Sequence, residues 1–320
     1  MKTDKISVVV PYWNESETIK KTLSKFANQT LKPYEVILVD SGSTDSSYQI
    51  IDEWIQSNSD KIIFKNIGAN TGYPSSSRNV GASLASGNLI AFMDCGLNFP
   101  LNWLESQNKH LREHKLQIVS NYCFLKGKGS VDIAAVCQTY GYDRPRLVLP
   151  GSLMELLVFK ETGPFLEKRR SGDDVDWVNR LNKTGFKRGG NPKLKIEYLG
   201  TNYARDFATL IKKIRNYGRD SVFLEGYYWP ILYILIVLVI SAISVLSINY
   251  LYIITGCYLL TRGYMIPILK SRNIKFFSSG PIIFLMLPAI GLTIDITKLA
   301  AYLEGYYKYG FRSMKKIISH

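Results

Sequence analysis

The fold is decided by two stretches, ISVVVPYWNE at residues 6–15 and VILVDSGSTD at residues 36–45. Each is a run of β-branched apolar residues that stops abruptly at Pro, Asn, Asp, Ser and Gly. Such runs are typical of strands buried in a parallel sheet. Ligands of open α/β sheets bind just beyond the carboxyl ends of the strands. The polar residues after both runs are therefore the first candidates for ligand contact, and their placement favours a nucleotide-type ligand.

Strands and helices are predicted to alternate along the first hundred residues. Apolar residues recur at helical spacing from Ile19 to Phe26 and from Tyr48 to Ile55. Further strands are predicted at residues 62–66 and 89–93, and a loop rich in Gly and Ser lies between them at residues 70–77. This rhythm predicts a doubly wound, mostly parallel α/β sheet.

The region after residue 100 is less regular. Strands are predicted near residues 117–122, 156–160 and 194–199, and a short helix is predicted at residues 173–182. A helix at residues 207–217 has one apolar and one basic face. Such a helix is expected to lie in a membrane interface.

The C-terminal part contains long stretches without charge, at residues 226–261 and 276–294. About 20 apolar residues are enough to cross a bilayer as a helix. Membrane spans are therefore predicted at residues 229–247 and, more weakly, at 250–268. Residues 281–303 form either a third span or an interfacial helix, since Asp295 and Lys298 interrupt them. A buried helical hairpin in a soluble protein is the alternative.

The chain has a formal charge of +14, and basic residues cluster on both sides of the apolar region. Basic residues before and after it fit the positive-inside rule and attraction to anionic lipid, and they argue against nucleic acid as the partner. The four cysteines are widely spaced and form no C-x-x-C pair, which indicates a reducing compartment. We expect a multi-pass protein of the inner membrane, with the N-terminal domain in the cytoplasm and no cleavable signal peptide.

Several segments together resemble the glycosyltransferase family 2 pattern. In order, they are VVVPYWNE, VILVDSGSTD, the tripeptide at residues 70–72, SSSRNVGASLASGNLIAFMDCG and SGDDVDW. The YGRD sequence at residues 217–220, followed by hydrophobic helices, is similar to membrane-bound members that build bacterial exopolysaccharide or cell-surface glycans. The resemblance implies a GT-A fold, a UDP-, GDP- or dTDP-sugar donor, a lipid-linked glycan acceptor and inverting transfer.

The resemblance also implies a set of donor-binding residues, which are Pro11, Glu15, Asp40, Ser41, Asn70, Arg78 and Asp94. The Asp40 carboxylate can accept hydrogen bonds from base or ribose, although Asp also favours turns for its own sake. Arg78 is predicted near the start of a helix, where guanidinium and backbone N–H groups can face a diphosphate. A surface arginine is the alternative.

Asp94 matches the first aspartate of the family's DxD motif, which binds a divalent cation. A hard cation stabilises a departing nucleoside diphosphate without a proton donor. Gly96 replaces the second aspartate, and the only histidines are His110, His114 and His320. Mg²⁺ or Mn²⁺ is expected from the resemblance, held by one carboxylate, phosphates and waters.

Asp173 and Asp174 match the family's Glu-Asp motif, and by position Asp174 is the base that takes the proton from the acceptor hydroxyl. Adjacent acids repel, which raises the affinity of one of them for a proton. The alternative is an acidic first turn of a helix, stabilised by the helix dipole. Trp177 lines the acceptor groove or belongs to the core. Arg215 and Arg219 contact the donor or a lipid phosphate, or form a basic interface face.

Four regions follow: a GT-A domain at residues 1–203, an interfacial helix at 204–226, a membrane region at 227–303 and a basic tail at 304–320. The expected function is inverting transfer of a sugar to a glycan hydroxyl at the cytoplasmic membrane face. A polyprenyl-phosphate glycosyltransferase is one alternative. A non-catalytic membrane scaffold that binds nucleotide-sugar is another, supported by the missing second aspartate.

Overall fold

A computed structural model describes residues 4–58, 62–168, 172–198, 203–222, 224, 229–246, 248–278 and 280–309. The chain divides into two compact units. The first, here called the sheet unit, comprises residues 1–124 and 145–200, and the second, the helical unit, comprises residues 125–144 and 201–320. The predicted boundary near residue 203 is close to the division between residues 200 and 201. Nothing in the sequence pattern indicated that residues 125–144 pack with the C-terminal helices.

The sheet unit contains eight strands: β1 (Ile6–Tyr12), β2 (Glu35–Asp40), β3 (Ile63–Gly68), β4 (Leu89–Phe92), β5 (Leu97–Asn98), β6 (Ile118–Phe124), β7 (Arg146–Glu155) and β8 (Arg188–Tyr198). Its helices are α1 (Ile19–Ala27), α2 (Ser47–Ser57), α3 (Pro74–Ser83), α4 (Trp103–Glu113), α6 (Leu156–Thr162) and α7 (Asp173–Leu181). Helix α5 (Ser130–Thr139) lies between β6 and β7 in sequence and belongs to the helical unit.

The strands form one sheet in the order β3-β2-β1-β4-β7-β6-β8-β5. The first four are parallel, with Val8 opposite Val36 and Ala91 in register. Strand β7 runs antiparallel to β4 and β6, and β8 runs parallel to β6. The predicted α/β class is confirmed, and the sheet is mixed, with continuous parallel pairing only from β3 to β4.

The strand predicted at residues 156–160 is wrong, because these residues form α6 and the strand beside β4 is β7. A short apolar run does not distinguish a buried strand from a buried helix segment.

Alternate residues of β1 enter two different cores, which shows that the sheet is covered on both faces. Val8 and Val10 belong to a core that includes Phe26 and Trp103, whereas Val9 packs with Phe92 and its neighbours. A strand buried on both faces reads as a continuous apolar run, as β1 and β2 do. The strands whose ends form the candidate site are therefore packed on both faces.

The helical unit contains α5, α8 (Phe207–Ser221), α9 (Trp229–Leu246), α10 (Ile248–Tyr258), a π-helical turn (Leu259–Met265), α11 (Ile266–Lys270) and α12 (Pro281–Tyr309). Residues from α5, α8 and α12 share one core, which includes Cys137, Leu210 and Leu287. Of the apolar face predicted for α8, Leu210 and Ile214 are therefore buried among helices, while Phe207 and Ile211 are exposed. The predicted basic tail at 304–320 begins inside α12, and its residues from 310 lie outside the described part of the chain.

Two helical stretches are long and apolar enough to cross a membrane, Asn249–Lys270 and Pro281–Lys308, and Pro230–Ile243 is a shorter apolar helix. In the most apolar 18-residue part of each stretch, 11% is buried for Asn249–Lys270 and 28% for Pro281–Lys308. Length and composition are a weak indication of membrane association, because core helices of soluble proteins satisfy the same criterion. Residue 247, at the end of the first predicted span, lies outside the described residues.

Candidate functional site

The carboxylate of Asp40 lies at the end of β2, where the chain turns away from the sheet. Its Oδ1 accepts hydrogen bonds from the backbone N–H groups of Gly42 (3.1 Å) and Ser43 (2.9 Å) and from the Ser43 hydroxyl (2.7 Å). Oδ2 accepts none from the described residues, although Asp40 is only 5% exposed. Asp40 therefore builds the turn with Oδ1, while Oδ2 has no hydrogen-bond partner among the described residues.

Hydroxyl groups from three segments meet beside Asp40, and the sequence reading did not identify this cluster. Ser77 Oγ lies 2.8 Å from Ser41 Oγ and 2.6 Å from Thr71 Oγ1. The backbone N–H of Asn70 donates to the carbonyl of Asp40 (3.1 Å), and Asn70 itself is exposed. These bonds fix the loop between β3 and α3 against the end of β2. The Ser and Thr residues at 71–77 were the sequence feature that could have indicated this hydroxyl cluster.

Of the two predicted donor contacts after β1, one lies inside the strand and the other follows it. Pro11 does not follow β1 but lies within it, buried and in register with Val39. Glu15 does follow the strand and is half-buried. One of its carboxylate oxygens accepts a hydrogen bond from Thr18, and its backbone N–H donates to Ser47 Oγ (2.7 Å). Glu15 thus supports the local turn.

Arg78 lies one turn into α3, rather than at its first residue, because the helix already begins at Pro74. Pro is favoured at a first helical position, since that residue has no intrahelical N–H bond to lose. Helix α3 lies close to the sheet at Gly81, where an added Cβ would be only 2.3 Å from a Val9 methyl group. Because the helix lies so close to the sheet, Arg78 is near the strand ends and only 9% of its surface is exposed.

The Arg78 guanidinium joins two carboxylates that are far apart in sequence. Its Nη2 donates to Asp94 Oδ1 (2.8 Å), two residues after β4, and its Nη1 donates to Asp173 Oδ2 (3.2 Å), the first residue of α7. The Nε atom is buried and has no hydrogen-bond partner among the described residues. A planar guanidinium can form such a bridge because its donors point in fixed, separate directions.

The electrostatics of this cluster follow from burial and from like charges. Burial alone would lower the pKa of Arg78, but Asp94, Asp173 and Asp174 together raise it. Burial and, to a smaller extent, the neighbouring Asp174 raise the pKa of Asp173 to about 6, against the opposing effect of Arg78. All three carboxylates therefore act on one guanidinium.

Asp174 differs from Asp173 in exposure. It is exposed, and its Oδ1 accepts only the backbone N–H of Val175 (2.9 Å) among the described residues. Asp176 is 8% exposed and pairs with Arg180 (2.9 Å), which is a structural role. The three acids do form the first turn of α7, where a helix dipole stabilises them. Of the pair matched to the motif, Asp173 binds Arg78 and Asp174 is accessible.

The donor set at Asp94 decides which kind of cation fits. No group of three or more His, Cys, Asp or Glu side chains among the described residues could hold a metal ion. Asp94 Oδ1 is engaged by Arg78, and Gly96 stands where a second carboxylate would be. Mg²⁺ is commonly held by one or two carboxylates together with substrate phosphates. Asp94 therefore fits a cation shared with a donor diphosphate, not one held by side chains alone.

Three other predicted site residues are placed as follows. Trp177 is 1% exposed, packs with Phe159 and Phe165, and donates its indole N–H to the carbonyl of Gly163 (2.9 Å). It is a core residue and does not line an open groove. Arg215 and Arg219 lie on α8 in the helical unit, where both lie near Glu304.

Comparison with known proteins agrees with this architecture. Residues 7–135 match the sequence model of Glycosyl transferase family 2. Glycosyltransferase AglE of Haloferax volcanii is 25% identical over 227 residues, which is 68% of this chain and 73% of AglE. Validoxylamine A glucosyltransferase of Streptomyces hygroscopicus subsp. jinggangensis is 37% identical over 185 residues, 57% of this chain but only 38% of that enzyme.

Among solved structures, the mannosyltransferase PcManGT from Pyrobaculum calidifontis, in complex with GDP-Man and Mn²⁺, is similar with a TM-score of 0.53. It is 16% identical, and the match covers 95% of this chain and 88% of that one. At this identity the likeness concerns the fold. The fold and the matches together define a glycosyltransferase with a GT-A-type sheet. The match over residues 7–135 and the curated relatives support a family 2 glycosyltransferase.

Proposed function

We propose that the chain is an inverting glycosyltransferase that moves one sugar from a nucleoside diphosphate-sugar to a hydroxyl of a lipid-linked or cell-surface glycan. The observation that carries this proposal is the bridge from Arg78 to Asp94 and Asp173 at the carboxyl ends of the parallel strands, with Asp174 beside it. Transfer requires a cation to neutralise the departing diphosphate and a carboxylate to accept a proton. This cluster contains both.

The donor is proposed to lie along the ends of β1, β2 and β4. Asp40 Oδ2 accepts a hydrogen bond from base or ribose, while Ser41 and Asn70 border the same turn. The diphosphate lies against Arg78, whose unpartnered Nε is an additional buried donor. The GDP-Man bound to PcManGT supports a nucleotide-sugar of this general kind.

Asp174 is the proposed base. Its exposed carboxylate takes the proton from the acceptor hydroxyl as that oxygen attacks the anomeric carbon from the face opposite the leaving group. The bond from the anomeric carbon to the diphosphate oxygen breaks, and its electron pair stays on the diphosphate, which Arg78 neutralises. A Mg²⁺ or Mn²⁺ ion shared by Asp94 and the donor phosphates would supply further neutralisation. Asp173 holds Arg78 in place.

Transfer by the full chain in detergent, with a panel of UDP-, GDP- and dTDP-sugars, tests these roles. Loss of a general base typically costs 10²- to 10⁴-fold in rate, so we expect Asp174→Asn to fall by about that factor. Asp94→Ala is expected to lose most activity, and Glu17→Gln, an exposed acid before α1, is the matched control. Wild-type turnover in both Asp174→Asn and Asp94→Ala would contradict the proposal.

A second candidate is transfer to a lipid phosphate, and it is favoured by a basic cleft in the helical unit that contains Arg215 and Arg219. A phosphate oxygen is already ionised, so this reaction needs no general base. Activity that survives Asp174→Asn but is abolished by loss of Arg215 or Arg219 would select it. Either reaction fits a membrane-associated enzyme with its sheet unit in the cytoplasm, which is the placement we propose from the charge pattern.

A further inference from the structure

An aromatic side chain on β6 lies level with Asp94. Strand β7 lies between β4 and β6, and its Leu153 is in register with Ala91 on β4 and with Val119 on β6. Since β4 and β6 are both antiparallel to β7, they run in the same direction. Asp94 and Tyr122 each come three residues after these partners of Leu153. The two positions are therefore level at the carboxyl ends of their strands, and two strand spacings, roughly 10 Å, separate them.

Tyr122 also lies on the face of the sheet over which Arg78 is held. Side chains alternate between the two faces along a strand, so Ile118 and Tyr122 on β6 share a face. Ile118 belongs to the core that contains Val9, and helix α3, which carries Arg78, packs against Val9. Tyr122 therefore borders the Arg78 cluster, which consists of this guanidinium and the acids Asp94, Asp173 and Asp174.

The electrostatics of the buried Cys123 thiol agree with this placement. Burial raises its pKa to about 11, and the carboxylates of Glu197 and Asp94 raise it too, while Arg146 lowers it. Coulomb interactions weaken with distance, so charges that act on this thiol lie near it. The residue after Tyr122 is thus within electrostatic range of Asp94, and the strand ends from β4 to β8 form one continuous edge.

Tyr122 and Leu147 form a small apolar surface at this edge, here called the Tyr122 platform. Leu147 lies opposite Tyr122 in the strand pairing and is 55% exposed, and Tyr122 is half-buried. Both side chains rest on Gly190 of β8, where an added Cβ would lie 2.7 Å from Leu147 Cδ2 and 2.9 Å from Tyr122 Cε2. Because Gly190 has no side chain, the ring and Leu147 lie directly on the backbone of β8.

Polar groups border the Tyr122 platform. Lys195 is exposed, lies opposite Tyr122 on β8, and has its ammonium 5.5 Å from the centre of the Phe124 ring. Glu197 is exposed and lies opposite Phe124. One face of a sugar ring carries mainly C–H groups that pack on an aromatic ring, while its hydroxyls need hydrogen-bond partners at the rim. Small-molecule sites combine aromatic walls with a few polar groups in this way.

We infer that the Tyr122 platform binds a sugar ring of the acceptor glycan, behind the sugar whose hydroxyl is glycosylated. This role rests on the proposed function, in which that hydroxyl lies beside Asp174. A single sugar at the Arg78 cluster does not reach Tyr122 across roughly 10 Å, whereas the following sugars of an oligosaccharide do. The platform therefore makes the enzyme select an oligosaccharide acceptor over a monosaccharide with the same terminal sugar.

Acceptor kinetics test the inference. The full chain, in a detergent without a sugar headgroup, is assayed with the UDP-, GDP- and dTDP-sugar panel and with methyl glycosides of glucose, galactose, mannose and N-acetylglucosamine, each as monosaccharide, disaccharide and trisaccharide. We expect Tyr122→Ala to raise the KM for the trisaccharide acceptor about tenfold, with little change in kcat or in the KM for the monosaccharide. Tyr122→Phe retains the ring and should restore most of the lost affinity. Tyr34→Ala, which removes a half-buried tyrosine at the amino ends of the strands, is the matched control.

A binding measurement separates failure of this inference from failure of the proposed function. Saturation-transfer difference NMR with the same methyl glycosides needs no turnover. Wild type should bind the trisaccharide of at least one series more tightly than its monosaccharide, and Tyr122→Ala should lose this difference. If that result is obtained with a chain that transfers no sugar, the proposed function fails and the glycan subsite stands. No preference for longer glycosides in wild type, an unchanged preference in Tyr122→Ala, or the same loss in Tyr34→Ala would overturn the inference.

Discussion

Arg78 organises the site because a single buried guanidinium bonds to acids that follow two different elements. Its two η nitrogens point apart, so one side chain reaches both Asp94 and Asp173. A lysine carries the same charge on a single nitrogen. Its ammonium would bond to only one of the two carboxylates, or to both with poorer hydrogen-bond geometry. The sequence predicts Arg78 near a donor diphosphate, but only the folded chain shows which carboxylates it bonds to.

Asp173 gives the first prediction at this scale. Its pKa in the folded chain is about 6, above its ordinary value, because burial and Asp174 disfavour the charge. Between pH 4 and 6 the native state keeps a proton that the unfolded chain has released, so stability falls as pH rises. At about 1.4 kcal/mol per pKa unit, the wild-type chain should lose about 2 to 3 kcal/mol relative to Asp173→Asn between pH 4 and 7.

Thermal unfolding of both proteins in the same detergent, followed by intrinsic fluorescence across this pH range, measures the effect. The difference in melting temperature, wild type minus Asp173→Asn, should decrease as pH rises and level off above pH 7. A difference that stays constant, or that grows with pH, would show that the ionised form of Asp173 is not disfavoured in the folded chain.

At the scale of elements, the amino ends of the parallel strands are joined by a second buried carboxylate. Glu35 begins β2, is fully buried, and accepts hydrogen bonds from Lys65 on β3 (2.6 Å), Ser7 on β1 (2.6 Å) and the backbone N–H of Ser86 (2.7 Å). Since Asp40 lies at the opposite end of the same strand, Glu35 is structural. The sequence reading did not identify it, because a single Glu at a strand start has no periodicity.

Glu35→Gln is expected to lower the free energy of unfolding by about 3 kcal/mol, because it leaves the Lys65 ammonium without its partner. Burial opposes ionisation of Glu35, but Lys65, Ser7 and Ser86 outweigh it and lower its pKa to about 2. The stabilisation is therefore present above the unfolded pKa, near 4.5, and is lost as pH falls towards 2.

Melting temperatures of wild type and Glu35→Gln at pH 7 and at decreasing pH check both statements. The two curves should converge as the medium becomes more acidic. Lys32→Gln provides an exposed comparison, since its ammonium bonds only to the carbonyl of Ala27 among the described residues. If Glu35→Gln is as stable as wild type at pH 7, the structural role assigned to Glu35 is contradicted.

For the whole molecule, the main finding is that residues 125–144 leave the sheet unit and pack with the C-terminal helices. Gln138 on α5 donates to the carbonyls of Gly263 (3.1 Å) and Leu287 (2.6 Å). Its side-chain oxygen also accepts a hydrogen bond from Arg262, which pairs with Asp295 (2.8 Å). Buried polar groups of this kind are costly unless all are satisfied, so the contacts are specific.

Truncation tests this dependence. A chain that ends at residue 222 keeps the whole sheet unit but removes α12, and it exposes the apolar faces of α5 and α8 that pack against Leu287 and Ile290. We expect this fragment to aggregate or to melt at a lower temperature than the full chain, as judged by size-exclusion chromatography and thermal unfolding. Deletion of residues 310–320 alone is the control. A monomeric truncated chain with the melting temperature of the full protein would contradict the expectation.

The sequence by itself determined the α/β class, the order of the polar segments that follow the strands and the apolar C-terminal stretches. These depend on local properties: runs of β-branched residues, turn residues and the absence of charge over a helical length. Only the tertiary structure decided that Arg78 bonds to Asp94 and also to Asp173, which is 95 residues from Arg78. The same holds for the hydrogen bond from Gln138 to Leu287, 149 residues away. It also decided that Trp177 is buried, because a side chain's neighbours depend on how distant elements pack.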